Sequence, residues 1–169
     1  MSSYTFRRAE KQEVPAVFEL IMGRVRWMDD VGIRQWNVTK YDECYPPAYF
    51  EAHRQAGHTF VLTEEGDPQL LAVAVLKDED DRWDHIPGAK DDSAVYLHNF
   101  ATRLTHKGIG SLFLEEAERY AKENGIRYFR LDSAVGNEKL TEYYSSRGYI
   151  PVGECVDRLY TGILRQKEL

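Results

Sequence analysis

The 169-residue sequence is poor in cysteine, and its two examples, Cys44 and Cys155, fall in no Cys-x-x-Cys or zinc-finger spacing. This excludes a disulfide framework and a cysteine-built metal site, and leaves both as structural thiols. Long apolar runs are also missing. The longest, residues 70–76, is far short of the roughly 20 residues needed to cross a bilayer, and residues 1–8 contain no apolar stretch of a secretion signal. A cytoplasmic protein without a membrane partner is therefore expected. Excess positive charge is absent as well: 22 Lys and Arg stand against 28 Asp and Glu, for a net charge of −6 and a pI near 5.4. A nucleic-acid partner, which needs a clustered basic surface, is excluded, whereas a small cationic substrate is tolerated. The five histidines, at 53, 58, 85, 98 and 106, show no His-Glu-x-x-His spacing, so no metal is expected. Repeats and linker-like segments are lacking too. With 43% hydrophobic and 30% charged residues, a chain of this length reads as one domain over residues 1–169.

What is present is a regular alternation of strand and helix signals. Residues 4–9 read as a strand, and Val14, Val17, Phe18, Ile21, Val25 and Met28 recur at three- and four-residue steps, which predicts an amphipathic helix ending near Gly32. Pro46 and Pro47 open a second helix that stops at Gly57. The period then changes: residues 59–63 and 70–76 are β-type runs joined by the turn chemistry of Glu64-Glu-Gly-Asp-Pro, a hairpin signal. Residues 78–92 hold seven acidic residues against Arg82 and Lys90, and are read as a solvated polar loop, with a lip that attracts an amine as the alternative. A strand over 94–102 follows, then a helix from Ile109 to Gly125, a strand over 126–132, a short helix from Asn137 to Ser146, and two closing strands over 148–152 and 158–164. The result is a mixed α/β pattern.

Within it, Lys107-Gly-Ile-Gly110 stands between a strand and a helix. The first amides of a helix have no acceptor inside it, and the peptide dipoles leave partial positive charge there, so an anion is stabilised at that end. Two common phosphate motifs are excluded. The nucleotide loop Gly-x-x-x-x-Gly-Lys-Ser/Thr is absent, because Lys107 precedes the glycines. The dinucleotide fingerprint fits better at first, since Asp132 lies 22 residues beyond Gly110, but its third small residue is here Phe113, whose ring would push helix from strand.

Residues 105–110, Thr-His-Lys-Gly-Ile-Gly, resemble the coenzyme pyrophosphate loop Gln/Arg-x-x-Gly-x-Gly/Ala of the GNAT superfamily of N-acetyltransferases, with Thr105 in place of Gln or Arg. A second segment, residues 137–149, resembles the family's later motif Asn-x-x-Ala/Leu-x-x-Phe/Tyr-Tyr-x-x-x-Gly-Phe/Tyr at every fixed position. Met28, Gly32-Ile33 and Gln35-Trp36 resemble a variant found in some bacterial members. The resemblance spans the domain and implies a GNAT-type α/β fold: a mixed, mostly antiparallel sheet of about seven strands flanked by about four helices. It further implies transfer of acetyl from acetyl-CoA to a primary amine of a small molecule or peptide. A non-catalytic acyl-CoA sensor is the alternative, and a homodimer is compatible with either.

Residue roles follow from the resemblance. Phe100, Ala101 and Thr102, on a bulged strand, are implied to hold the cosubstrate and polarise its carbonyl through a backbone amide. His106, Lys107, Gly108, Ile109, Gly110 and Ser111 take the pyrophosphate, and Asn137 lies near the coenzyme while also suiting a helix N-cap. Tyr144 assists the leaving thiolate. A phenol near pKa 10 passing its proton completely to a thiolate near 8.5 runs uphill by roughly 2 kcal/mol, so a hydrogen bond to the departing sulfur is the role expected. His98 is the candidate base, with Asp132 or a water relay as alternatives and a core histidine as the competing reading. By period two His98 shares a face with Tyr96 and Phe100. Tyr96, Asp132, Trp27 and Trp36 are assigned to the acceptor, although tryptophans on helices more often pack into a core.

Overall fold

The computed structural model describes residues 3–169. Strands β1 (Tyr4–Arg8), β2 (Thr59–Glu64), β3 (Leu70–Lys77), β4 (Ala94–Thr102), β5 (Tyr128–Ala134), β6 (Ile150–Asp157) and β7 (Tyr160–Glu168) form one sheet in the order β1-β2-β3-β4-β5-β7-β6. Pairs β1/β2, β2/β3, β5/β7 and β6/β7 are antiparallel and β4/β5 is parallel, which makes the sheet mixed. Helices are α1 (Val14–Asp30), α2 (Tyr41–Cys44), α3 (Pro47–Gln55), α4 (Ile109–Glu123) and α5 (Glu138–Ser146). The one-turn α2 was not anticipated, because four residues carry no readable period. By contacts the chain falls into two units, one of residues up to Leu76 with Asn99–Ala117, the other of Lys77–His98 with Glu118–Leu169.

In the first unit, β3 is buried along Leu70 to Leu76, which explains why its sequence is continuously apolar rather than alternating. Helix α1 buries Val14, Val17, Leu20, Ile21 and Met28 at helical spacing, the first four in a cluster with Phe50, Val61, Val73 and Val75. Truncation of the fully buried Ile21 to alanine would cost about 2–5 kcal/mol.

In the second unit, β5 pairs with β7 from Tyr128↔Glu168 to Ala134↔Gly162, and β6 closes the hairpin with β7. Its core gathers Trp83, Ala89, Tyr96, Cys155 and Leu164. The acidic segment before β4 therefore differs from the expected solvated loop. It makes two short 3-10 turns, Asp81–Trp83 and Ala89–Asp91, and buries Asp80, Trp83 and Ala89. The physical reason is the apolar residues interspersed among its acids: Trp83 anchors in the core beneath the Arg130 guanidinium, with Ile86 packed at its edge. Asp92 then pairs with Arg130 and Asp84 with Lys90.

Helices α1, α3, α4 and α5 all stop by one device. A glycine with positive φ, at 32, 57, 125 and 148, donates its amide back into the last turn, and the next residue bonds the carbonyl five positions earlier. No helix of the described residues is long and apolar enough to cross a membrane.

Candidate active site

Within the first unit, the β4 residues assigned to the cosubstrate follow an interruption in that strand. Asn99 has φ 54, a left-handed conformation uncommon for any residue but glycine and best tolerated by asparagine. Its side chain is fixed from both ends: the Tyr49 hydroxyl donates to Oδ1 at 2.9 Å, and Nδ2 donates to the Tyr41 hydroxyl at 2.6 Å. The buried amide thus has partners for donor and acceptor, and the backbone turn is held in place. Beyond Asn99 the strand goes on with Phe100 half-buried and Ala101 buried. The Phe100 ring stacks on Phe113 at 5.1 Å.

The helix that follows opens as expected. Gly108 has φ 79, its carbonyl accepts from the Leu112 amide at 3.1 Å, and a Cβ there would meet nothing within 4 Å. The loop presents exposed Lys107 and Gly108 at the amide end of α4, with Ile109 buried and Gly110 and Ser111 half-buried in its first turn. That end suits an anion by charge and by the open space above the glycine. His106 turns its Nδ1 to the Thr105 hydroxyl at 2.9 Å. Trp36 stacks on Tyr41 at 4.6 Å and packs against the core, and the Arg24 guanidinium covers Trp27 at 4.3 Å from its ring centre.

In the second unit, β4 pairs with β5 from Ala94↔Tyr128 to Leu97↔Leu131. His98 and Asp132 follow directly. Tyr96 lies in the core, 6% exposed, between Trp83 and Arg130, and its hydroxyl accepts from Arg130 at 2.9 Å. Asp132 is committed at both oxygens: Arg82 donates to Oδ1 at 3.2 Å, and Tyr160 donates to Oδ2 at 2.6 Å. Arg82 also reaches Asp157 at 2.7 Å.

His98 has a partner that sequence reasoning missed. Its Nε2 lies 2.9 Å from Oδ2 of Asp80, whose side chain is 3% exposed. The other Asp80 oxygen accepts the Arg82 amide at 3.1 Å and caps the short turn over Asp81–Trp83. Burial alone would push the Asp80 carboxyl up, but the His98 hydrogen bond and charge, the Arg82 amide and the Arg82 cation together hold it below the ordinary value. Ligand atoms of Asp80, His98 and Asp132 lie within 4.8 Å of one another. Arg82 bonds Asp132 and the imidazole bonds Asp80, so both carboxylates have partners inside the protein.

Tyr144 occupies the last turn of α5. The Gly148 amide bonds the Ser145 carbonyl and the Tyr149 amide bonds the Tyr144 carbonyl, both at 3.1 Å, and the Tyr144 and Tyr149 rings meet at 5.7 Å. The sequence pattern Tyr-x-x-x-Gly-Tyr is thus a helix stop of the Schellman type with its apolar contact, and it fixes where Tyr144 stands. Tyr149 is anchored through its hydroxyl to Glu118 at 2.7 Å, and Tyr143 packs edge-on to Tyr144 at 5.2 Å. Burial, with smaller contributions from Tyr143 and Asp132, raises the Tyr144 phenol well above its ordinary value. At the front of α5, Asn137 is the N-cap, its Oδ1 accepting from the Leu140 amide at 3.1 Å.

One mixed sheet of seven strands, with a glycine loop leading from β4 into α4, makes up a GNAT-type α/β fold. The chain belongs to the acetyltransferase (GNAT) family, whose model matches residues 26–149. Solved structures agree on the fold. An acetyltransferase of this family from Listeria monocytogenes 4b F2365 superposes with a TM-score of 0.80 at 23% identity, covering 98% of this chain and 95% of that one. The PaiA N-acetyltransferase of Thermoplasma acidophilum, solved in complex with coenzyme A, gives 0.72 at 18% identity over 99% of each chain. YncA of Salmonella typhimurium, solved with its cofactor acetyl-CoA, gives 0.64 at 19% identity, over 98% of this chain and 94% of that one. No curated protein matches.

Proposed function

We propose that this protein is an N-acetyltransferase that moves acetyl from acetyl-CoA to the primary amine of a small molecule or peptide by direct attack. The observation that carries the reading is the left-handed break at Asn99, gripped by Tyr41 and Tyr49. A strand residue held in this conformation turns the backbone out of regular pairing, which is how a strand frees amides for a ligand. In this reading, amides of Phe100 to Thr102 bind the pantetheine chain and polarise the thioester carbonyl. The pyrophosphate is taken by the loop His106 to Ser111, and Asn137 stays a helix cap beside the coenzyme.

Attack needs a neutral amine, a proton acceptor and a stable leaving group. His98 receives the proton as the nitrogen bonds to carbon. Asp132 is a poor alternative base, since Arg82 and Tyr160 hold both its oxygens. Tyr144, protonated across the working pH range, donates a hydrogen bond to the departing sulfur, and the thiolate takes its proton from solvent.

The test is release of free thiol from acetyl-CoA by purified protein offered a panel of small amines and peptide N-termini. Acceptor-dependent release supports the enzyme. Coenzyme A binding without turnover on any acceptor would favour a non-catalytic sensor.

A further inference from the structure

The buried Asp80 side chain is tied to the one histidine of β4, although nothing in its chain neighbourhood announces the pairing. We propose that Asp80 is the positioning residue of His98, fixing it as the Nε2–H tautomer so that Nδ1 is the basic nitrogen; this rests on His98 being the proton acceptor. An ionised carboxylate only accepts hydrogen bonds, so the proton between Nε2 and Oδ2, 2.9 Å apart, belongs to the imidazole. A neutral ring with its proton on Nε2 has its lone pair on Nδ1. Asp80 is itself immobilised, because its second oxygen caps the Asp81–Trp83 turn and Trp83, 2% exposed, anchors that turn in the core.

The arrangement serves the reaction in two ways. It holds the ring orientation without a water molecule competing for Nε2, and it places a carboxylate against the imidazolium formed when the amine proton arrives. Arg82, bonded to Asp132 and Asp157, keeps the remaining carboxylates nearby from claiming that charge.

The test begins with spectroscopy, because it needs no acceptor. Long-range proton–nitrogen correlation spectra of the full chain labelled with ¹⁵N-histidine, with His98 assigned by its disappearance in H98Q, are expected to show a single Nε2–H tautomer for the neutral ring. D80A should give a mixture of tautomers, and D80E should restore the single form at least in part. An Nδ1–H tautomer of His98 in the wild type overturns the proposal, whatever the Asp80 variants show. So does tight Zn²⁺ binding lost in H98Q, which would make the three groups ligands. With an acceptor in hand, D80N is expected to lower kcat/KM about tenfold or more, within the range that a positioned base contributes. If H98Q loses activity and D80N does not, Asp80 is excluded while His98 stands; if H98Q turns over normally, the base assignment itself is wrong and the proposal falls with it.

Discussion

Tyr144 shows how one side chain can be assigned a role by its surroundings. Its phenol is buried and pushed up from the ordinary tyrosine value, so in the proposed mechanism it acts as a donor and not as a phenolate. Tyr144→Phe is therefore expected to lower kcat by about tenfold or more and leave the KM for acetyl-CoA nearly unchanged, as measured where chemistry limits the rate. An unchanged kcat would remove the tyrosine from the leaving-group role. The Asn137 cap was legible in the sequence because it is made with an amide three positions on. Asp80 was not. Its partner lies 18 positions away, and its six acidic neighbours in residues 78–92 have the composition of an ordinary solvated segment.

At the level of elements, strand β4 and the end of α5 carry the features on which the proposed function depends. A strand could be read from residues 94–102 and the resemblance implied a bulge in it, but not that Asn99 is the left-handed residue, since it looks like one more polar position until Tyr41 and Tyr49 fold over it. Asn99→Ala keeps neither the grip nor an easy left-handed backbone, and about 1–2 kcal/mol of stability should be lost to strain alone. Asn99→Gly keeps the conformation and loses only the grip. The pair separates the two effects: if the amides after Asn99 bind the cosubstrate, both variants raise the KM for acetyl-CoA, and only the alanine variant shows the full fall in denaturant midpoint. For α5 the decisive residue is Gly148, whose φ of 89 admits a side chain only under strain. Gly148→Ala is expected to cost about 1 kcal/mol or more and to lower Tm by about 2–4 °C per kcal/mol. Because the same turn sets Tyr144, its kcat should fall further than that of a surface variant of equal stability.

At the scale of the whole molecule, the buried ionisable groups set the pH range over which the fold persists. Asp80 and Glu13 are both held below the ordinary carboxylate value: Asp80 by His98 and Arg82 against the effect of burial, Glu13 chiefly by its hydrogen bonds from Arg7. A group depressed in the folded state contributes stability that is present above its unfolded pKa and lost as pH falls through its folded one. The acid limb should therefore begin below about pH 4. On the other side, burial raises the Cys155 thiol to about 11, and Tyr149 and Tyr160, buried and bonded to Glu118 and Asp132, are raised as well. A raised group binds more protons folded than unfolded, so its stability is complete below the unfolded pKa and declines as pH rises. Cys155 is the first to act, because an unfolded thiol titrates near 8.5 while this one remains protonated. Urea midpoints should thus be flat from about pH 5 to 8 and fall from about pH 9 upward. In Cys155→Ala the early part of that fall should be shallower while the later, tyrosine-driven part remains. An identical pH slope in both proteins would show that the thiol is no more protected in the folded chain than in the unfolded one.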